Sequence, residues 1–313
     1  MEHLLLMEAH KGVAERCDKY ALCVHDWSMV NFGKHQSKLD RKQRAHKNDI
    51  GYELQTALLL NDRNGEPLAP MVQNVVTDAG VWSSYHDERI KFQAHLEELT
   101  SRMAWIASQE FVHRVVHIID REAASVQHQR QWDEANHLFV LRDKVGSKVE
   151  FNGREVKLGE VADSLTFQIT HEVEIKGKKA MQYVGEAEVT MTRPAKPKRC
   201  DADGKRVKPI KGKPLRVRLV VSRILDNEGH VLAEWVLLSN VWDVDAKTTA
   251  LWYYWCWRIE SFFKLLKQAG HQLESWQQES GLALAKRLLI ASMACVRVAS
   301  IPQPTPKNLL RIR

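Results

Sequence analysis

Apolar and polar positions change period several times along the chain. Tyr20 to Phe32 is a dense run of apolar, β-branched and aromatic residues that ends at Gly33 and predicts a buried strand, with Asp26 in its middle. Tyr52 to Leu60 predicts a second strand, and Asn61-Asp-Arg-Asn-Gly65 supplies the turn into a third around Leu68 to Val76. Between Asp87 and Ser108 the apolar residues Ile90, Phe92, Leu96, Leu99, Met103 and Ile106 recur at the three-and-four spacing of an amphipathic helix. Val112 to Ile119 predicts an apolar strand ending at Asp120, Ala123 to Glu134 a helix, and His137 to Arg142 a fifth strand. A short helix, Glu2 to Asp18, precedes them all.

From about Gly146 the texture alters. Leu165, Phe167, Ile169, Val173 and Ile175 alternate with Thr166, Gln168, Thr170, Glu172 and Glu174, the period of two that marks a half-exposed strand. Similar runs at Gln182 to Met191, Leu215 to Leu225 and Val231 to Val241 make 147–242 an all-β insertion. Ala246 to Ala269 and Leu282 to Ala299 then predict long helices, and Pro302-Gln-Pro-Thr-Pro306 ends regular structure. The expected organisation is an N-terminal helical remnant (1–19), a first core segment (20–146), the insertion (147–242), C-terminal core helices (243–300) and a tail (301–313). A three-strand meander followed by helix, strand, helix, strand and helix predicts an α/β fold. Its mixed five-stranded sheet would carry helices on both faces, in the ribonuclease-H-like order, interrupted by the all-β insertion.

Composition narrows the class. With 313 residues, 44% hydrophobic and 27% charged, the chain reads as globular, neither disordered nor a coiled rod. Five cysteines, an odd number without a C-x-x-C pair, indicate neither a zinc knuckle nor a secreted disulfide framework, and a reducing cytoplasm is the simpler expectation. No window approaches the ~18 uncharged apolar residues of a membrane span, and Met1-Glu-His does not open a signal peptide. The net charge of +7 is mild, but its distribution is not. Between Arg193 and Arg218 eleven Lys or Arg residues, among them Lys205, Arg206, Lys208 and Lys211, face two acids, so this segment alone carries +9 and the remainder is close to neutral. A focused field of this kind attracts phosphate backbones; the alternative is a solvated basic loop without a partner.

Three carboxylates stand out. Two-metal phosphodiester chemistry needs about three of them converging on ions ~3.5–4 Å apart. Asp26 lies inside an apolar strand, where an unpartnered carboxylate is costly, although a backbone bond could satisfy it. Asp120 ends another apolar strand at the edge where open α/β sheets bind ligands, although it could cap a helix. In the helical segment Leu251 to Lys267, Tyr253, Glu260 and Lys267 recur every seven residues and would share one face of a continuous helix. A Glu260–Lys264 surface pair explains that spacing equally well. His113 and His117 flank an apolar strand without a third ligand and are expected to be structural.

Tyr253-x-x-Cys256-x-x-x-Glu260-x6-Lys267, with Arg258-Ile-Glu260 inside it, closely resembles the Y-R-E-K signature of DDE-type cut-and-paste transposases of the insertion-sequence-four group, which proceed through a hairpin intermediate. Val116-His-Ile-Ile-Asp120-Arg-Glu-Ala resembles that family's second-aspartate motif, and Leu22-Cys-Val-His-Asp26 stands where the first is kept. Phe139-Val-Leu-Arg142 and Trp235-Val-Leu-Leu-Ser239 also resemble family segments. The resemblance implies that Asp26, Asp120 and Glu260 are the catalytic triad holding two Mg²⁺ ions, with Mn²⁺ as a substitute. It implies nicking of double-stranded DNA at transposon ends, hairpin closure, and strand transfer into target DNA, in a dimeric synaptic complex within a bacterial, nucleoid-associated setting and without a membrane. Tyr253, Arg258, Lys264 and Lys267 would hold DNA phosphates, Trp235 and Trp257 would stack on an extruded base, and Arg142 would contact DNA. Cys256 occupies the family's arginine position and cannot pair bidentately with phosphate. The short termini suggest a nearly isolated catalytic core. The alternatives are a non-catalytic or truncated DNA-binding derivative, a relic or inhibitor of transposition, and an unrelated ribonuclease-H-like nuclease.

Overall fold

The apolar run at Tyr20 becomes strand β1 (Tyr20–Asn31) in a computed structural model that describes residues 2–43, 46–121, 124–175, 178–196, 204–205 and 207–299. Two units are distinguished, one from 2–118 with 255–299, the other from 119–254. In the first, α1 (Glu2–Arg16) leads into β1 through a turn held by Asp62, whose carboxylate accepts the backbone N–H groups of Asp18, Lys19 and Tyr20 at 2.7–2.9 Å. β2 (Lys42–Gln43), β3 (Ile50–Asn61), β4 (Pro67–Thr77), β5 (Gly80–Ser83), α2 (His95–Ala107) and β6 (Arg114–Ile119) follow. The strand order is β5-β4-β3-β1-β6, with β2 on β3 and antiparallel pairing from β1 through β5.

Period-two alternation divides β1 between two faces. Ala21 and Cys23 enter a core with Ala9 and Val13 of α1 and Ile106 of α2. Asp26 and Ser28 point the other way. The helix expected from Asp87 begins only at His95, because Ile90 is spent on extended structure, exchanging both backbone hydrogen bonds with Val81 at 2.9 Å.

The second unit contains α3 (Val126–Glu134), β7 (Leu138–Arg142), β8 (Lys148–Phe151), β9 (Arg154–Lys157), α4 (Leu158–Ser164), β10 (Gln168–Ile175), β11 (Lys178–Met191), β12 (Leu215–Leu225), β13 (Val231–Ser239) and α5 (Ala246–Trp255), the last residue of which belongs to the first unit. Its order is β7-β13-β12-β11-β8-β9, with β10 on β11. The insertion is therefore not purely β, since α4 buries Leu158, Val161 and Ala162. The five expected core strands correspond to β1, β3, β4, β6 and β7, but thirteen strands are present among the described residues, so the five-stranded expectation is corrected. The chain is α/β.

The expected single helix 246–269 is also corrected. It is interrupted at Cys256 and Trp257, after which come α6 (Arg258–Lys264), a π-helical turn at Leu265–Ala269, a 3₁₀ turn at Leu273–Ser275 and α7 (Gly281–Ala299). Two side chains of the last turn of α5, ahead of the interruption, have different neighbours. Tyr253 packs edge-on against Trp235, whereas Trp255 lies so close to Gly65 that a Cβ there would come within 2.6 Å of the indole. The seven-residue recurrence thus does not describe one helix face.

Candidate active site

Asp120 directly follows β6, with its side chain 56% exposed. The Tyr253 hydroxyl donates to its Oδ1 at 3.0 Å, and Arg142 Nη1 lies 3.7 Å from the same oxygen. Two segments 133 residues apart in sequence thereby meet on one carboxylate. Tyr253 can hold this position because its ring is buried against Trp235, with centroids 5.3 Å apart. Trp235 is only 4% exposed and also contacts Tyr254, so its indole forms the floor under the tyrosines.

The other unit carries Asp26, Glu260 and Lys267. Asp26 is half-buried and its Oδ1 accepts the Trp27 N–H at 2.8 Å. On the same face of β1, Ser28 Oγ receives the Lys267 ammonium at 2.7 Å, and Met29 O receives it at 2.5 Å. Burial lowers the Lys267 pKa, while Glu274 and Asp26 pull it back up. Glu274 is itself tied to β1, accepting the Asn31 N–H at 2.9 Å. Glu260 sits exposed in the first turn of α6 and Lys264 exposed in its last. Arg258, Trp257 and Cys256 are partly exposed, and Arg258 lines a cavity of about 70 Å³ with Glu66, Ser261 and Cys295. Ser28 and Glu274 escaped the sequence reading. The legible signal for Ser28 was its place two residues after Asp26 on the same strand face.

In the basic segment, Lys205, Lys208 and Lys211 are exposed, and Arg206 lies outside the described residues. Three of the arginines counted there are engaged by acids: Arg193 with Asp143 at 3.6 Å, Arg216 with Glu188, and Arg218 with Glu186 at 2.7 Å. Arg218 is largely buried and donates to Val241 O and Val244 O, so it braces the fold.

Two groups among the described residues bring three ligand-type atoms within 4.8 Å, Cys23–His25–His117 and Asp226–Glu228–His230. His117 therefore has ligand-type neighbours that the sequence did not reveal. His25 Nε2 and His117 Nδ1 are 2.9 Å apart, but Arg102 Nη1 lies 3.4 Å from His25 Nδ1 and donates to Thr56 O, placing a guanidinium where a cation would be repelled. Burial, then His117 and Arg102, push the His25 pKa well below its usual value, and burial raises Cys23 to about 12. Asp26, Asp120 and Glu260 each carry hard carboxylate oxygens, the ligand type that suits Mg²⁺ or Mn²⁺ rather than softer ions.

No family model matches the chain, and no curated protein does. Among solved structures it is similar to the piggyBac transposase synaptic complex with hairpin DNA, at 7% identity and a TM-score of 0.33. The alignment covers 92% of this chain, which spans 55% of that one.

Proposed function

We propose that the chain is a DNA strand-processing enzyme of the DDE transposase type, with Asp26, Asp120 and Glu260 as its metal-holding carboxylates and double-stranded DNA as its substrate. The observation that carries this reading is the Tyr253–Asp120 hydrogen bond, because it joins the two segments whose motifs resemble the family. Two Mg²⁺ ions held by these carboxylates would supply activation of a water and neutralise charge on the phosphoryl oxygens. The remaining work falls to the side chains. Tyr253 holds the orientation of the Asp120 carboxylate through its hydroxyl. Arg142 balances that charge at longer range. Lys267 ties the π-helical turn to the strand bearing Asp26, and the exposed Lys264 offers a point charge to a phosphate. In-line displacement at phosphorus requires no protein nucleophile, so the same groups serve nicking, hairpin closure and strand transfer.

Cys256, in the position where the resemblance expects arginine, favours a second reading, a DNA-binding chain that does not cleave. Supercoiled plasmid incubated with the full chain and Mg²⁺ or Mn²⁺ separates the two. The enzyme reading expects nicked circles from the natural chain and none from Asp120→Asn. Retarded but uncut plasmid would replace it with the second reading.

A further inference from the structure

Strand register in the 119–254 unit brings three segments to one end of its sheet. β11 and β12 pair out to Met191 opposite Leu215, and Arg218 of β12 stands opposite Ser239 of β13. The end of β11, the start of β12 and the end of β13 therefore coincide. Arg142, beside Asp120, opposes Leu237 farther back on β13. Trp242 is five residues beyond Leu237, roughly 15 Å along an extended chain. The basic segment is thus rooted at the end of these strands away from Asp120.

Past Met191 and Leu215 the two chains continue as a ribbon, for Ala195 and Ile210 exchange both backbone hydrogen bonds at 2.8 Å. Lys196, Lys205, Lys208, Lys211 and Lys213 are exposed on or next to it. Arg130 fixes its root, donating to Met191 O and Arg193 O, and Gly212 permits that approach, since a Cβ there would lie 2.5 Å from Arg130 Nη1. At the same end Trp242 is 45% exposed, the most exposed tryptophan among the described residues. The Arg216 guanidinium sits 4.6 Å from its ring centroid and is gripped by Glu188. A large indole left in water forgoes the stabilisation of burial. Backed by the Arg216 guanidinium, it presents a π surface at the end of the sheet where the lysine-rich segment is rooted, and an aromatic face with nearby cations is the combination that binds an unpaired nucleic-acid strand. A duplex keeps its base faces stacked and offers none to such a ring.

We propose that Trp242, backed by Arg216, is a stacking platform for an unpaired DNA base, and that Lys208, Lys211 and Lys213 hold phosphates of the same strand. This deepens the function proposed above and rests on it only for DNA as the substrate. The test is binding of a fluorescein-labelled oligothymidine of about 16 nucleotides to the full chain, followed by anisotropy across a salt series in EDTA, where no cleavage occurs. Trp242→Ala should weaken binding about five- to a hundredfold, as for loss of one base–aromatic stack, with the salt slope unchanged. Trp242→Phe should retain most of the affinity, which also controls for misfolding. Lys208→Ala with Lys211→Ala should reduce the slope of log K against log salt by about 1.4, and a blunt duplex of equal length should bind Trp242→Ala and the natural chain alike. Unchanged oligothymidine affinity in Trp242→Ala, or equal losses for strand and duplex, overturns the platform. Plasmid nicking is scored separately. A chain that binds strands through Trp242 but never nicks refutes the catalytic reading alone, and a chain that nicks but binds strands without Trp242 refutes the platform alone.

Discussion

At Asp120 a single hydroxyl decides how the carboxylate is oriented. Tyr253→Phe removes that donor and keeps the ring packed on Trp235, so the fold should be untouched. A hydrogen bond to a charged group is worth about 1.5–3 kcal/mol, and plasmid nicking should slow by about ten- to a hundredfold at unchanged melting temperature. His25 gives a prediction about stability. It is buried and neutral, with its pKa well below the usual 6.5. Above pH 6.5 both folded and unfolded chains leave it unprotonated. Below that, the unfolded chain takes a proton that the folded chain refuses until its lowered native pKa is reached. Stability should therefore fall by about 1.4 kcal/mol per pH unit from this group, and urea melts of His25→Gln should show an acid limb shallower by one proton. Asp26 and Asp120 drew notice in the sequence because a carboxylate in or at the end of an apolar run is conspicuous. His25 was hidden, since a histidine in a strand reads alike whether it faces solvent or an arginine. Arg102 comes from a helix 77 residues away, and only tertiary structure brings it there.

Among the elements, strands declared themselves better than helices. β1, β3 and β4 stand where their apolar runs put them, because fully buried strands need unbroken apolar sequence. The Asp87–Ser108 periodicity was genuine only from His95, since Ile90 fits a bridge to Val81 as well as it fits a helix. The interruption at Cys256 was invisible because neither glycine nor proline marks it. Glycine is informative in β3 for a different reason. Gly51 faces β1 so closely that a Cβ would lie 2.0 Å from Val30 O, and backbone cannot yield as a side chain can. Gly51→Ala should force the β1–β3 ladder apart near Asn31, the residue tied to Glu274. A destabilisation of about 3 kcal/mol, at the upper end for overpacking, is expected in urea melts, together with faster exchange of the Tyr52 and Asn31 amides.

For the molecule as a whole, charge and sequence order were legible while partition was not. The +9 segment was visible as composition, yet three of its arginines are engaged by Asp143, Glu188 and Glu186, and among the described residues lysines make up most of its exposed charge. Counting charge along the chain cannot distinguish the two, because paired acids such as Glu186 and Glu188 belong to another strand. The division at Tyr254 and Trp255 falls inside one uninterrupted apolar run, so no linker composition announces it. That division sharpens what the catalytic reading demands. Asp26 and Glu260 belong to one unit and Asp120 to the other, and the proposed function assigns all three to a single reaction. Groups that act together in one step lose nearly everything when any one is removed, and little more when a second follows. Asp26→Asn, Asp120→Asn and Glu260→Gln should each reduce nicking to background, and any pair of them should be no worse than the single variants. If Glu260→Gln nicked as fast as the natural chain while Asp120→Asn was inactive, the carboxylate from α6 would lie outside the reaction and the three-carboxylate assignment would fail.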